Sequence, residues 1–201
     1  MYFKLRILSV LALLSLNCFA MESLDSSDEI ALFQELGKEA QIELGIPEDK
    51  HAPIMALPKP ISFMDKLKGQ PYAAYYPTDH KILVNTICFN KDIFYGIKRG
   101  LIFHEAVHAK YKDTQTCAAV ERRADIEACI AMKCFQCLEE FSLTHNTFYD
   151  FKGYISRSEI KQIAEKFKNR NCICSYHQNN PSLPSSPSFL YKFVDFLKDV
   201  F

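Results

Sequence analysis

The chain has no tryptophan, few histidines and no net charge, and each shortage narrows what it can be. Its 24 Lys and Arg are matched by 24 Asp and Glu. Binding to phosphates needs a basic surplus, so nucleic acid is excluded as a principal partner. Long apolar runs are equally scarce. The main one, residues 7–16, follows Lys4 and Arg6 and precedes Cys18-Phe19-Ala20. It is too short to span a bilayer comfortably, and its charged start, apolar middle and small final residues read as a secretory signal peptide. An uncleaved membrane anchor is the alternative. Residues 1–20 are therefore expected to be removed, leaving a secreted or periplasmic protein with no stable membrane insertion. Their loss takes Lys4 and Arg6 and no acid, so 24 against 24 becomes 22 basic against 24 acidic.

Roughly 180 residues then remain, enough for one domain with a real core. With 16 Phe and 10 Tyr and no Trp, that core is expected to be aromatic-rich. No internal repeat is visible. Ser26-x-x-Glu29 is a capping box opening a helix to Leu44, with Ile30, Phe33, Leu36, Ala40 and Leu44 as its buried stripe. Gly45 and Pro47 end it. The proline-rich stretch 51–60 holds a short extended segment near Ile54 to Leu57. Residues 73–76 and 81–85 read as two strands joined by Pro77-Thr78-Asp79-His80. Helices are expected over about residues 92–111 and 117–141, the second burying Val120, Ala124, Ala131, Leu138 and Phe141. Ser156-x-x-Glu159 caps another, with Ile160, Ile163, Ala164 and Phe167 inward. A Pro/Ser linker at 179–188 leads to an amphipathic helix at 189–201, expected to dock on the core because its polar face is not strongly basic. The fold class is α+β, mainly helical.

Two of the six histidines fall in His104-Glu105-Ala106-Val107-His108. On a helix His104 and His108 are one turn apart on one face, so both imidazoles can reach one zinc ion with Glu105 beside it. A hydrolytic zinc needs three protein ligands and one position for water. Glu121 supplies the third if the two helices fold back at the polar turn 113–116. Asp125, four residues on, shares its face and can orient a ligand histidine through the ring N–H. Taken alone, the five-residue motif also fits two ordinary surface or core histidines. Its context, an apolar run before it and a carboxylate pair after it, favours the metal.

The segments Ile-Phe-His-Glu-Ala-Val-His-Ala (102–109) and Glu-Arg-Arg-Ala-Asp-Ile-Glu-Ala (121–128) together resemble the gluzincin metallopeptidases of the HtpX and CAAX-prenyl-protease type. Residues 73–85 resemble the hairpin that precedes the zinc helix in that family and borders its substrate cleft. The resemblance covers residues 70–130 and implies a zincin-like metallopeptidase domain over residues 21–178, with a small antiparallel hairpin beside the zinc helix. It implies Zn2+ held by His104, His108 and Glu121, with Glu105 as general base and a peptide or protein as substrate. His177 in Tyr176-His177 is similar to a downstream histidine of the family and is the first candidate for an oxyanion donor, although Gln178 stands where the family has proline. Tyr154 and His145 are rivals for that role. The chain also differs in a short gap between the motifs, in lacking membrane-spanning helices and in its many cysteines. An alternative from another class is a secreted, disulfide-rich binding protein with a structural, non-catalytic zinc.

Seven cysteines lie beyond residue 20. Cys134 and Cys137 share a face of the 117–141 helix and are expected to bridge to Cys172 and Cys174, in either pairing. A second zinc held by these four thiolates is the competing reading. A redox Cys-x-x-Cys needs a helix start, whereas this one is expected deep inside a helix. Cys88, Cys117 and Cys129 are left over, and Cys117 is expected to be a small buried residue or to approach the metal.

Overall fold

A computed structural model describes residues 26–57, 72–85, 95–115, 117–143, 145, 154–170, 172, 174 and 176. Helix α1, Ser26–Glu43, runs as expected, with Phe33, Leu36, Ala40 and Leu44 buried and Ile30 half-buried. Gly45 ends it at φ +71°, a left-handed conformation that costs glycine no Cβ clash. The buried Gln41 then ties the returning chain to α1. Its amide nitrogen donates to the Ala52 carbonyl (3.2 Å) and its oxygen accepts the Ala52 N–H (2.5 Å).

Three strands follow: β1 Ile54–Ala56, β2 Ala73–Tyr76 and β3 Lys81–Val84. The expected hairpin is β2–β3, antiparallel with Tyr75 opposite Ile82. The segment near Ile54, expected only to be extended, pairs parallel with β3 and makes a mixed sheet of order β1-β3-β2. Alternation explains β3's central place, because Ile82 and Val84 point into the core while Lys81 and Leu83 are half-exposed.

Helix α2, Tyr95–Tyr111, lies at the centre, packed on α1, on β2 and β3, and on the later helices. Ile102, Phe103, Ala106 and Val107 are wholly buried. Gly100 permits the closest crossing, since a Cβ there would overlap the Phe141 ring. Among the described residues Phe33, Phe103 and Phe141 are the large fully buried rings, packed with Leu, Ile and Met.

The single helix expected over 117–141 is two helices, α3 Ala118–Met132 and α4 Phe135–Ser142. Lys133 turns left-handed at φ 48° and Cys134 is extended, so the chain changes direction between them. The break preserves the burial pattern, with Ala124, Ala131, Leu138 and Phe141 inside and Val120 half-buried. Helix α5, Arg157–Glu165, carries the expected capping box. Ser156 Oγ accepts the Glu159 N–H at 3.3 Å, and Glu159 accepts the Ser156 N–H at 2.8 Å. Ile160, Ala164 and Phe167 are buried and Ile163 half-buried.

The class is α+β, with five α-helices and a small sheet among the described residues. Among the described residues no helix is long and apolar enough to cross a membrane. The expected signal peptide, the expected 179–188 linker and 189–201 helix, Cys88 and His177 lie outside the described residues.

Candidate metal centre

Helical spacing brings His104 and His108 together on α2, with their Nε2 atoms 3.0 Å apart. The chain then folds back. Lys112 turns left-handed at φ 53°, and the Asp113 N–H closes the end of α2 on the His108 carbonyl (3.1 Å). Helix α3 therefore runs beside α2 and presents Glu121 from its first turn, where the helix dipole favours a carboxylate. Glu121 Oε2 stands 3.2 Å from His104 Nε2 and 3.6 Å from His108 Nε2. Zinc–nitrogen and zinc–oxygen bonds of roughly 2.1 Å in a tetrahedron place neighbouring ligand atoms about 3.4 Å apart. The observed triangle fits that size.

Each imidazole is held from behind. His104 Nδ1 meets Asp125 Oδ1 at 2.8 Å, and His108 Nδ1 meets Asp113 Oδ2 at 2.9 Å. An imidazole that donates from Nδ1 to a carboxylate keeps its Nε2 lone pair for a metal. Asp125 is in turn fixed by the Ile155 N–H (3.2 Å) and by His145 Nε2 (3.3 Å), and Asp113 by Arg123 Nη2, 2.6 Å from both oxygens.

Convergence of three electron-pair donors leaves a charge to be neutralised. Burial alone would lower the His104 pKa, but its hydrogen bonds to Asp125 and Glu121 outweigh this and raise it to about 10. Burial would raise Glu121, yet the two imidazoles hold its carboxyl below the ordinary range. Asp125, buried against His104 and His145, is drawn down to about 2. Without an ion, a proton is thus drawn to the place a metal would take.

Glu105 stands apart from this triangle. It is buried, and one oxygen accepts the Tyr75 N–H of β2 at 2.7 Å. Burial pushes its carboxyl up, against the opposing pull of His104, His108 and that N–H.

Of the rivals for oxyanion donor, His145 is turned to Asp125 and packs edge-on against the Phe141 ring. Tyr154 lies over the His104 ring, centroids 6.2 Å apart. Cys117, expected to be buried or near the metal, is instead an exposed residue capping α3, with its carbonyl accepting the Val120 and Glu121 N–H groups. Two features escaped the sequence reading. Asp113 looked like an ordinary turn residue, and only its distance of five from His108 hinted at a partner. The Tyr75 contact is made by main chain and leaves no trace in residue type.

The second cluster is sulfur. Cys134 and Cys172 form a disulfide, Cα atoms 4.7 Å apart, so one of the two expected bridges is present. Cys137 and Cys174 are buried with their sulfurs 3.7 Å apart. The Cys134-x-x-Cys137 pair is at the start of α4 rather than deep in a helix, because the chain breaks at Lys133. Cys134 nonetheless bonds across to Cys172 and not to Cys137, so the local pair is not the disulfide.

Compared with protein-family models, with curated proteins and with solved structures, the chain finds no match in any of the three.

Proposed function

We propose that this chain is a zinc-dependent peptidase with a zincin-like arrangement, exported by residues 1–20, in which His104, His108 and Glu121 hold the ion and Glu105 moves the proton. The observation that carries the reading is the division of the acids. Glu121 closes an ion-sized triangle with the two Nε2 atoms, while Glu105, one residue from a ligand, is held off by the Tyr75 N–H. A structural site takes four protein ligands and has no use for a buried acid beside them, which counts against a non-catalytic zinc. The resemblance of both motifs to the gluzincins supports the same assignment.

A bound zinc ion supplies Lewis acidity, making a water acidic near neutral pH and polarising a carbonyl. The chain's own residues do the rest. Glu105 accepts the proton of the attacking water and returns it to the leaving amine, a task suited to a carboxyl raised by burial. The Tyr75 N–H fixes one Glu105 oxygen and so aims the other. Asp125 and Asp113 keep the two imidazoles in the donor tautomer and orientation. Strand β2, an outer strand of the described sheet and the one that contacts α2 through Glu105, is where an extended substrate would be held by main-chain pairing. His177 is assigned as oxyanion donor on the resemblance, with Tyr154 beside His104 as the described alternative.

A peptide-library digest with and without chelator, read by mass spectrometry, tests the proposal. Cleavage that stops with chelator and returns with zinc is expected. A zinc-loaded chain that cleaves nothing would overturn it.

A further inference from the structure

We propose that Cys134, Cys137, Cys172 and Cys174 form a second zinc site, a closed tetrathiolate that staples the start of α4 to the chain beyond α5. The four sulfurs lie within 4.8 Å of one another, so they already bound one ion-sized space. Zinc–sulfur bonds of about 2.3 Å in a tetrahedron set sulfurs roughly 3.8 Å apart. Cys174 sits 3.8 Å from Cys134 and 3.7 Å from Cys137. Cys172 is 3.0 Å from Cys174 and needs only a small outward shift once it is no longer joined to Cys134.

The surroundings give negative sulfur partial support. Cys134 caps α4, and its sulfur accepts the Cys137 N–H at 3.4 Å. Such N–H groups at a helix start stabilise negative charge. A zinc tetrathiolate carries a net double negative charge; burial and the Glu140 carboxylate oppose charge on Cys137, and the wholly buried Arg99 guanidinium, which acts on both Cys137 and Cys174, offsets them in part. Arg99 is itself anchored by Glu39 (2.7 Å) and the Met132 carbonyl (2.8 Å), so it is a fixed counter-charge, partly shared with Glu39.

Full burial of Cys134, Cys137 and Cys174 leaves no position for water, which makes this site structural, unlike the His–Glu centre. The Cys134–Cys172 disulfide and the tetrathiolate are exclusive, because the bond consumes two of the four ligands. Ribosomal synthesis delivers all four as thiols. Zinc captured then displaces four protons, needs no oxidant, and shields the sulfurs from later oxidation.

The test separates this site from the peptidase reading by removing the other metal. The full-length chain carrying His104→Ala and His108→Ala is prepared with zinc under a thiol reductant, and its metal content is measured. Cobalt(II) is then exchanged in, and the four cysteines are probed by alkylation. One zinc per chain, an intense sulfur-to-cobalt charge-transfer band, and protection of all four thiols are expected. Cys137→Ser with Cys174→Ser in that background should abolish the band. Because those replacements could unfold the chain, the readings on the histidine variant decide the matter alone. No zinc with four freely alkylated thiols, or a persisting Cys134–Cys172 bond without metal, would overturn the proposal whatever the chain does to peptides.

Discussion

The two clusters of candidate metal ligands lie on different parts of the chain and differ in what surrounds them. Between α2 and α3, three nitrogen and oxygen donors converge, each imidazole has a carboxylate behind it, and a fourth acid is held just outside the triangle. At the start of α4, four sulfurs converge, three of them wholly buried and two joined as the Cys134–Cys172 disulfide, with the Arg99 guanidinium and the Glu140 carboxylate as the nearby charges. Three donors and a reserved acid leave room for a water and a base to activate it. Four sulfurs, once all of them bind one ion, fill a tetrahedron and leave room for no water. The contrast teaches that a ligand count means little until the next layer of residues is read.

Removing a ligand histidine should break the comparison most completely. His104→Ala or His108→Ala is expected to eliminate zinc from the α2–α3 centre together with all peptidase activity, while the thiolate cluster is unaffected; metal analysis and a peptide assay on each variant check this. Glu121→Gln comes next, because a neutral amide is a poor substitute for an anionic ligand. It should weaken zinc binding and activity together, as measured by competition with a chromophoric chelator. Asp125→Asn and Asp113→Asn should each cost on the order of 10–100-fold in affinity or rate, the usual effect of losing the partner of a metal-bound imidazole. Equal losses at the two positions would show that both imidazoles need their carboxylates, and a silent Asp113→Asn would restrict that role to Asp125.

Smaller effects test the frame that holds the two clusters apart. Gly100→Ala would force a methyl group into the Phe141 ring where α2 crosses α4, and is expected to destabilise the fold by about 1–3 kcal/mol in chemical denaturation. The smallest effect concerns the α5 cap. The Arg122 guanidinium, and then the Ser156 N–H, draw the Glu159 carboxyl from 4.5 down to about 2. A folded-state pKa below the unfolded one gives stability that is present above the ordinary value and lost as pH falls through the folded value. Acid should therefore weaken the chain between pH 4.5 and about 2, and Glu159→Gln should flatten that slope slightly, since the group is largely in solvent.

What was legible in the sequence was mainly local. The i, i+4 histidines, the Ser156–Glu159 box, the α1 stripe and the β2–β3 hairpin each follow from spacing within a few residues, and each stands where the pattern put it. Glu121 and Asp125 were reachable because a polar turn predicted antiparallel helices. The break at Lys133 was not, since no glycine or proline marks it and the left-handed residue is a lysine. The parallel pairing of β1 with β3 depends on Gln41 clamping Ala52, a contact eleven residues apart with no sequence signature. Asp113 and the Tyr75 N–H were hidden for a similar reason, because their roles belong to positions in space rather than to residue type.

The most direct measurement of the central claim is the zinc content and peptidase rate of Glu105→Gln beside the parent chain. The amide keeps the shape of the side chain but cannot accept a proton. Zinc at the α2–α3 centre is predicted to stay at the parent level while hydrolysis falls by roughly 10²–10⁴-fold. A variant that loses its zinc would make Glu105 a ligand, and one that keeps full activity would remove it from the chemistry; either result contradicts the account.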